Sequence, residues 1–288
     1  MTGDDFIETR NLRPVTFSGL PRLGKTLFLP LTPLYSMFSL PLAVSAAAVL
    51  LTFLAAAWQD WKTRTVYRAT WYPAAVIGGI CAVLFWLEYI HTAGALFILL
   101  LSLAFAALCR LFAALGMFGK ADAKALVLLS LAVPVTPFAA WIFPSLAVSA
   151  LVNAGILSLA VPLFCLGYNL LKGNRAPFWL MCSGTPVAGS SVKDRFGFLA
   201  ETVTEENGEI KKEFVRMRDT VFSLKSPMRH TRTLRERPEE CEGTLRLLEK
   251  CETVWVTVGI PLLVPLTAGL IFALFGFSAV DILLSLLL

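Results

Sequence analysis

Two aspartates stand at the ends of long apolar runs. Asp60 lies near the end of one such run in "LLTFLAAAWQDWKTRTVYRATW", and Asp122 opens another in "LGMFGKADAKALVLLSLAVP". A charge at mid-membrane costs roughly 2.5–3.5 kcal/mol on insertion scales and less near the interface. A carboxylate at the end of an apolar helix is therefore affordable, yet dry enough for its protonation to be tuned. Two carboxylates within hydrogen-bond reach do not both ionise easily. One keeps a proton while the other activates a water, which is the division of labour needed for general acid–base hydrolysis.

Such a pair needs helices that bring both groups to one level. Of the 288 residues, 57% are hydrophobic and only 16% charged, where a soluble domain carries close to a quarter. That composition points to an all-α integral membrane protein. Six candidate spans follow: Ser39–Trp58, Thr70–Ile90, Ala93–Leu115, Ala123–Trp141, Leu146–Leu171 and Gly259–Leu287. A polar stretch, Lys172–Glu252, separates the last two. The expected organisation is an N-terminal polar extension (1–36), a five-helix membrane region with both aspartates (37–171), a cytoplasmic insertion (172–252) and a sixth transmembrane helix (253–288). Within the insertion, "TEENGEIKKEF" carries an Asn-Gly turn between residues of modest strand propensity. "GTLRLLEKCETVW" reads as a short amphipathic helix running into the last span.

Charge sets the orientation. The links after spans one and three carry Lys62, Arg64, Arg68, Lys120 and Lys124, and the insertion is rich in Lys and Arg. The alternate links, "EYIHTAG" and "WIFPS", have neither residue. The positive-inside rule puts the first set, and with it both aspartates, at the cytoplasmic face of a multi-pass cell-membrane protein. Arg10, Arg13, Arg22 and Lys25 fit that orientation badly; a start at Met37 removes the difficulty, and both starts stay open.

Other residues read more plainly. Lys120 and Lys124 are interface anchors, Arg110 snorkels out of its run, and Trp58 and Trp61 belong to the aromatic belt. Glu205, Glu206 and Glu209 are a solvated acidic stretch. Glu88 and Asp281 fall at the opposite face. Pro261 and Pro265 break the ladder of the sixth span. The six cysteines form no CxxC pair and the two histidines lie far apart, so no metal site is legible. No basic stripe with interleaved aromatics points to nucleic acid. Asp122 sits at a helix start and Asp60 at a helix end, so the dipoles favour Asp122 as the resting carboxylate by about 0.3–1 kcal/mol.

"GKADAKAL" and the upstream "AAAWQDWKTRTV" resemble the two active-site segments of the archaeal type IV prepilin peptidases, the preflagellin (prearchaellin) peptidases of the GxGD aspartyl protease class. The resemblance covers roughly residues 37–170 and the final "VWVTVGIPLLVPLTAGL". It implies Asp60 and Asp122 as the catalytic dyad, with Gly119, Lys120, Ala121 and Lys124 as motif support. Gly119 matches the first glycine of GxGD, while Ala121 stands in place of the second. It further implies an aspartyl endopeptidase that needs no cofactor or metal and removes short basic leaders from archaellin or type IV pilin-like precursors. Its partners are then those precursors, each a leader followed by an apolar helix, and membrane lipid. Two rivals stand beside this reading. A presenilin-like intramembrane protease usually has nine spans and a Pro-Ala-Leu motif that this chain lacks. A non-catalytic transporter or assembly protein would show internal repeats or polar residues along several spans, which are absent.

Overall fold

The computed structural model describes residues 39–92, 94–115, 119–137, 143–206, 209–215 and 231–287. The N-terminal extension, the start at Met37 and the Asn207-Gly208 turn lie outside those residues.

Helix α1 runs Leu40–Thr63, with Pro41 in its first turn, where a missing N–H costs nothing. It buries Leu42, Ala46, Val49, Phe53 and Ala56, a three-and-four spacing along one face. Leu51, Leu54 and Trp58 stay exposed on its other side, as a lipid-facing surface requires. Because α1 continues past Trp58, Asp60 occupies its last turn. After a short 3₁₀ turn, α2 (Tyr72–Tyr89) and α3 (Ala95–Ala114) follow close to their expected bounds. Helices α5 (Leu146–Ser158) and α6 (Ala160–Lys172) together form the expected fifth apolar stretch.

The fourth and sixth spans differ from expectation. Helix α4 covers only Lys120–Ala132, about 20 Å at 1.5 Å per residue. It stops before Pro134, since the residue preceding a proline is pushed out of helical geometry. The chain then continues as Val133–Thr136, buried and irregular. Helix α4 lies among α1, α2, α3 and α5, and non-helical backbone is tolerated where protein surrounds it. Past "VWVTVGIP", helix α10 (Leu263–Leu274) and helix α11 (Ala279–Leu287) replace one straight helix and are bent 63° apart. The break falls at Phe275–Ser278, where Gly276 has φ 88°, and not at the prolines. Pro261 precedes α10 and Pro265 lies in its first turn. Among the described residues, four helices are long and apolar enough to cross a membrane, or five counting the bent pair, where six were expected.

The polar stretch folds, and it is not all helix. It contains helix α7 (Phe178–Ser183), strands β1 (Gly184–Ala188), β2 (Glu201–Glu206) and β3 (Glu209–Phe214), and helices α8 (Thr231–Glu236) and α9 (Glu242–Glu249). The expected amphipathic helix is α9, but it leads into strand β4 (Thr253–Thr257) and not into a membrane helix. Strands β1 and β4 pair antiparallel, as do β2 and β3, the latter with Glu206 opposite Glu209. Residues 253–257 therefore belong to this unit, which has its own core of Val192, Leu199, Leu234, Leu248, Val254 and Val256.

Small residues and buried polar bonds tie the membrane helices together. Helix α10 lies along α5, where a Cβ added to Gly269 would sit 2.4 Å from the Ala150 carbonyl oxygen. The Asn153 amide donates to the Gly269 carbonyl (3.2 Å) and to that of Phe277 (2.8 Å). The Thr267 hydroxyl donates to the Phe53 carbonyl of α1 (3.2 Å), and the Ser45 hydroxyl to that of Ala132 on α4 (2.7 Å).

Candidate active site

Helix α1 ends and helix α4 begins at one cavity of about 750 Å³, and both Asp60 and Asp122 line it. Gly119, Lys120, Ala121 and Lys124 line it as well, so every residue of the "GKADAK" motif singled out in the sequence faces this space.

Helix α4 starts with Gly119 as its N-cap and Asp122 in its first turn. The Asp122 carboxylate accepts a hydrogen bond from the Gly119 N–H, satisfying one of the free donors of the helix start. Glycine leaves room for the carboxyl group here: a Cβ at 119 would lie 2.5 Å from Asp122 Oδ2 and push it aside. Burial raises the Asp122 carboxyl from 3.8 to about 6, and the neighbouring Asp60 charge adds to the rise, while the Gly119 bond opposes it. A single pKa unit corresponds to about 1.4 kcal/mol. Burial therefore opposes the helix-dipole preference of about 0.3–1 kcal/mol for an anion at this position.

Asp60, half-buried like Asp122, differs from it in its partners. Its carboxylate accepts a hydrogen bond from the Leu263 N–H, in the first turn of α10. Although Asp60 ends its own helix, it faces the positive end of another, which favours an anion. Arg64 supplies a positive charge beside it. Beyond Thr63 the loop is fixed by Gln59, whose side-chain oxygen accepts from the Tyr67 N–H (3.1 Å) and the Thr70 hydroxyl (3.0 Å).

The far wall comes from the polar unit, for which the sequence offered no role. Phe196, Gly197 and Phe198 line the cavity opposite the helices, and Val258–Ile260 close its edge. These segments run side by side: the Thr257 N–H donates to the Phe198 carbonyl (2.9 Å) and the Gly259 N–H to that of Phe196 (3.0 Å). Thr231 secures the wall from behind, its hydroxyl bonded to the Arg195 carbonyl (2.6 Å) and to the Gly197 N–H (3.1 Å). A smaller cavity of about 260 Å³ adjoins the first and shares Arg64, Phe196, Val258 and Gly259 with it. The only local signal was "VGIP", a glycine and a proline interrupting an apolar run. In the sequence, Arg64 bears only on orientation.

Several charged and aromatic residues that stand out in the sequence lie away from the cavity. Trp58 and Trp61 are exposed, with the Lys62 ammonium over the Trp58 ring. Arg110 is exposed on α3. Glu205 and Glu206 sit on β2, paired with Lys250 and Lys211. Asp281 accepts from the Phe143 N–H (2.9 Å) and belongs to the α11 region.

The family model described as Type IV leader peptidase family matches residues 47–163. A second, Archaeal Peptidase A24 C-terminus Type II, matches residues 176–276. The first takes in both aspartates and the second the Phe196 wall, β4 and α10. A search of the curated proteins found no match.

Proposed function

That the chain belongs to the archaeal type IV leader peptidase family, as an aspartic-type endopeptidase, is the premise from which we propose that Asp60 and Asp122 are its catalytic dyad. The observation that carries this is the shared cavity: two carboxyl groups from separate helices line one space, and the charge of one acts on the other.

The environments divide the roles. Asp60, supported by the α10 N-terminus and Arg64, is the ionised base. Asp122, half-buried at the start of α4, holds the proton. Asp60 takes a proton from a water, whose oxygen attacks the scissile carbonyl carbon while Asp122 protonates the carbonyl oxygen. The tetrahedral intermediate collapses as Asp60 passes its proton to the amide nitrogen, Asp122 takes a proton back from a hydroxyl and the C–N bond breaks, releasing acid and amine with the dyad restored. An amide bonded i→i−4 in a helix is shielded from attack, so the substrate backbone unwinds to enter. The family implies pilin-like precursors as substrates. The cut then removes a short basic leader ahead of an apolar helix, of archaellin or type IV pilin type, at the cytoplasmic face. The positive-inside pattern of the links supports that face.

The test is cleavage of a precursor bearing a basic leader in membranes containing the parent protein, Asp60→Asn or Asp122→Asn. The parent yields mature product and neither variant does. Product from either variant overturns the dyad.

A further inference from the structure

Arg64 is the only non-glycine residue with positive φ among the described residues, at φ 55° and ψ 23°. It is the residue that ends α1, and helices commonly end in this left-handed conformation on a glycine, which adopts it without steric cost. A long side chain is kept where the backbone favours none, and observed strain of this kind is a pointer to function. The Arg64 N–H donates to the Asp60 carbonyl (3.0 Å), so the turn fixes Arg64 relative to Asp60. Its guanidinium lies over the Phe196 ring, 5.3 Å from the centroid, and makes no ion pair with Asp60 among the described residues. Its Nε is buried with no hydrogen-bond partner among them. Arg64 also lines both cavities, at their junction.

We infer that Arg64 is a positioning residue for the dyad: held on the Phe196 ring, its guanidinium keeps Asp60 ionised while being held back from pairing with it. A base locked in a direct ion pair would be blocked from taking a proton from water. A base with no nearby cation would compete with Asp122 for the proton. The Phe196 stack sets the distance between these extremes. The other charged groups facing the cavity are Asp122, Lys120 and Lys124 from α4 and Arg232 from α8. Arg235 lies over the same Phe196 ring, at 4.8 Å, and Lys62 is turned outward onto Trp58. Burial works against the Arg64 charge and the Asp60 carboxylate supports it, so the two groups are mutually dependent.

This inference rests on the dyad reading, and two variants with opposite expected signs test it. Arg64→Gly relieves the backbone and removes the cation. Phe196→Leu keeps the cation and frees it to approach Asp60. With the full chain in detergent and a basic-leader precursor as substrate, the pH dependence of kcat/KM is measured for parent, Arg64→Gly, Arg64→Lys and Phe196→Leu. In Arg64→Gly the acid limb moves to higher pH by about one unit, with at least a tenfold loss at the acid end. Arg64→Lys, which retains the charge, keeps its limb near that of the parent. In Phe196→Leu the limb moves to lower pH and kcat falls. Limbs that stay put in Arg64→Gly and Phe196→Leu, with activity unchanged or scaled equally at every pH, overturn the inference. If Asp60→Asn or Asp122→Asn still cleaves the same precursor, it is the dyad that fails.

Discussion

Asp122 and Asp60 are the same residue type at the same level of the molecule, and their surroundings make them chemically different. Asp122 is half-buried beside a like charge, and loss of solvent pushes its carboxyl up to about 6. Below that pH the pair holds its shared proton; as pH rises through about 6 the proton leaves and no general acid remains. The expected kcat/KM profile of the parent therefore falls on its alkaline side with an apparent pKa near 6, a property of the pair as a unit. A profile flat from pH 5 to 8 would contradict this. Gly119 gives a second prediction at this scale. A methyl group there would meet Asp122 Oδ2 at 2.5 Å, forcing the carboxyl group aside. Misplacement of about 1 Å costs on the order of 10²-fold in rate, so Gly119→Ala should lose activity on that scale while melting near the parent temperature. Asp122 and Gly119 were both legible, because "GKADAK" stands at a helix start. Arg64 was not, because nothing in a sequence shows that an arginine will adopt a conformation suited to glycine.

At the scale of elements, hydropathy located helices where lipid touches them and misjudged those that protein surrounds. Helices α1, α2 and α3 present broad apolar faces, and α4 does not need one. Its buried side is built of Ala123, Ala125, Leu126 and Leu129 packed among other helices, so neither length nor continuous hydrophobicity is demanded of it. The bent α10–α11 pair shows the same limit, since a break at Phe275–Ser278 leaves mean hydropathy unchanged. Helix α10 matters because its first turn reaches Asp60, and its place is fixed by contact with α5 at Gly269. Gly269→Ala would drive a Cβ against backbone atoms of Ala150 and Ala154, which cannot yield as a flexible side chain would. A destabilisation of about 1–3 kcal/mol is expected, read as a lowered midpoint of denaturation in detergent. An unchanged midpoint would mean that the two helices do not pack as described.

For the molecule as a whole, the two matched regions, 47–163 and 176–276, are two folding contributions to a single site. The first carries both carboxyl groups; the second carries Phe196, the Val258–Ile260 edge and the helix whose N-terminus faces Asp60. Leu263, Leu266, Leu270 and Ala273 of α10 are also buried in the core of the first. A chain ending at residue 175 keeps both aspartates but loses that core face and the cavity wall. It should be inactive and melt well below the full chain, and co-expressing residues 176–288 as a separate chain should restore part of the cleavage. Full activity of the truncated chain would make the second region dispensable.

The sequence by itself determined that this is a membrane protein, where most of its helices lie, and which two carboxylates stand at helix ends with a glycine beside one of them. These are local matters of hydropathy, spacing and charge, and each is written within a short stretch of chain. Only the tertiary structure decided that the polar stretch folds back as the wall of the cavity, that the start of α10 faces Asp60 and that Arg64 lies on Phe196. Those contacts join residues far apart in the chain, and packing selects such partners by shape and available space, which no single stretch of sequence encodes.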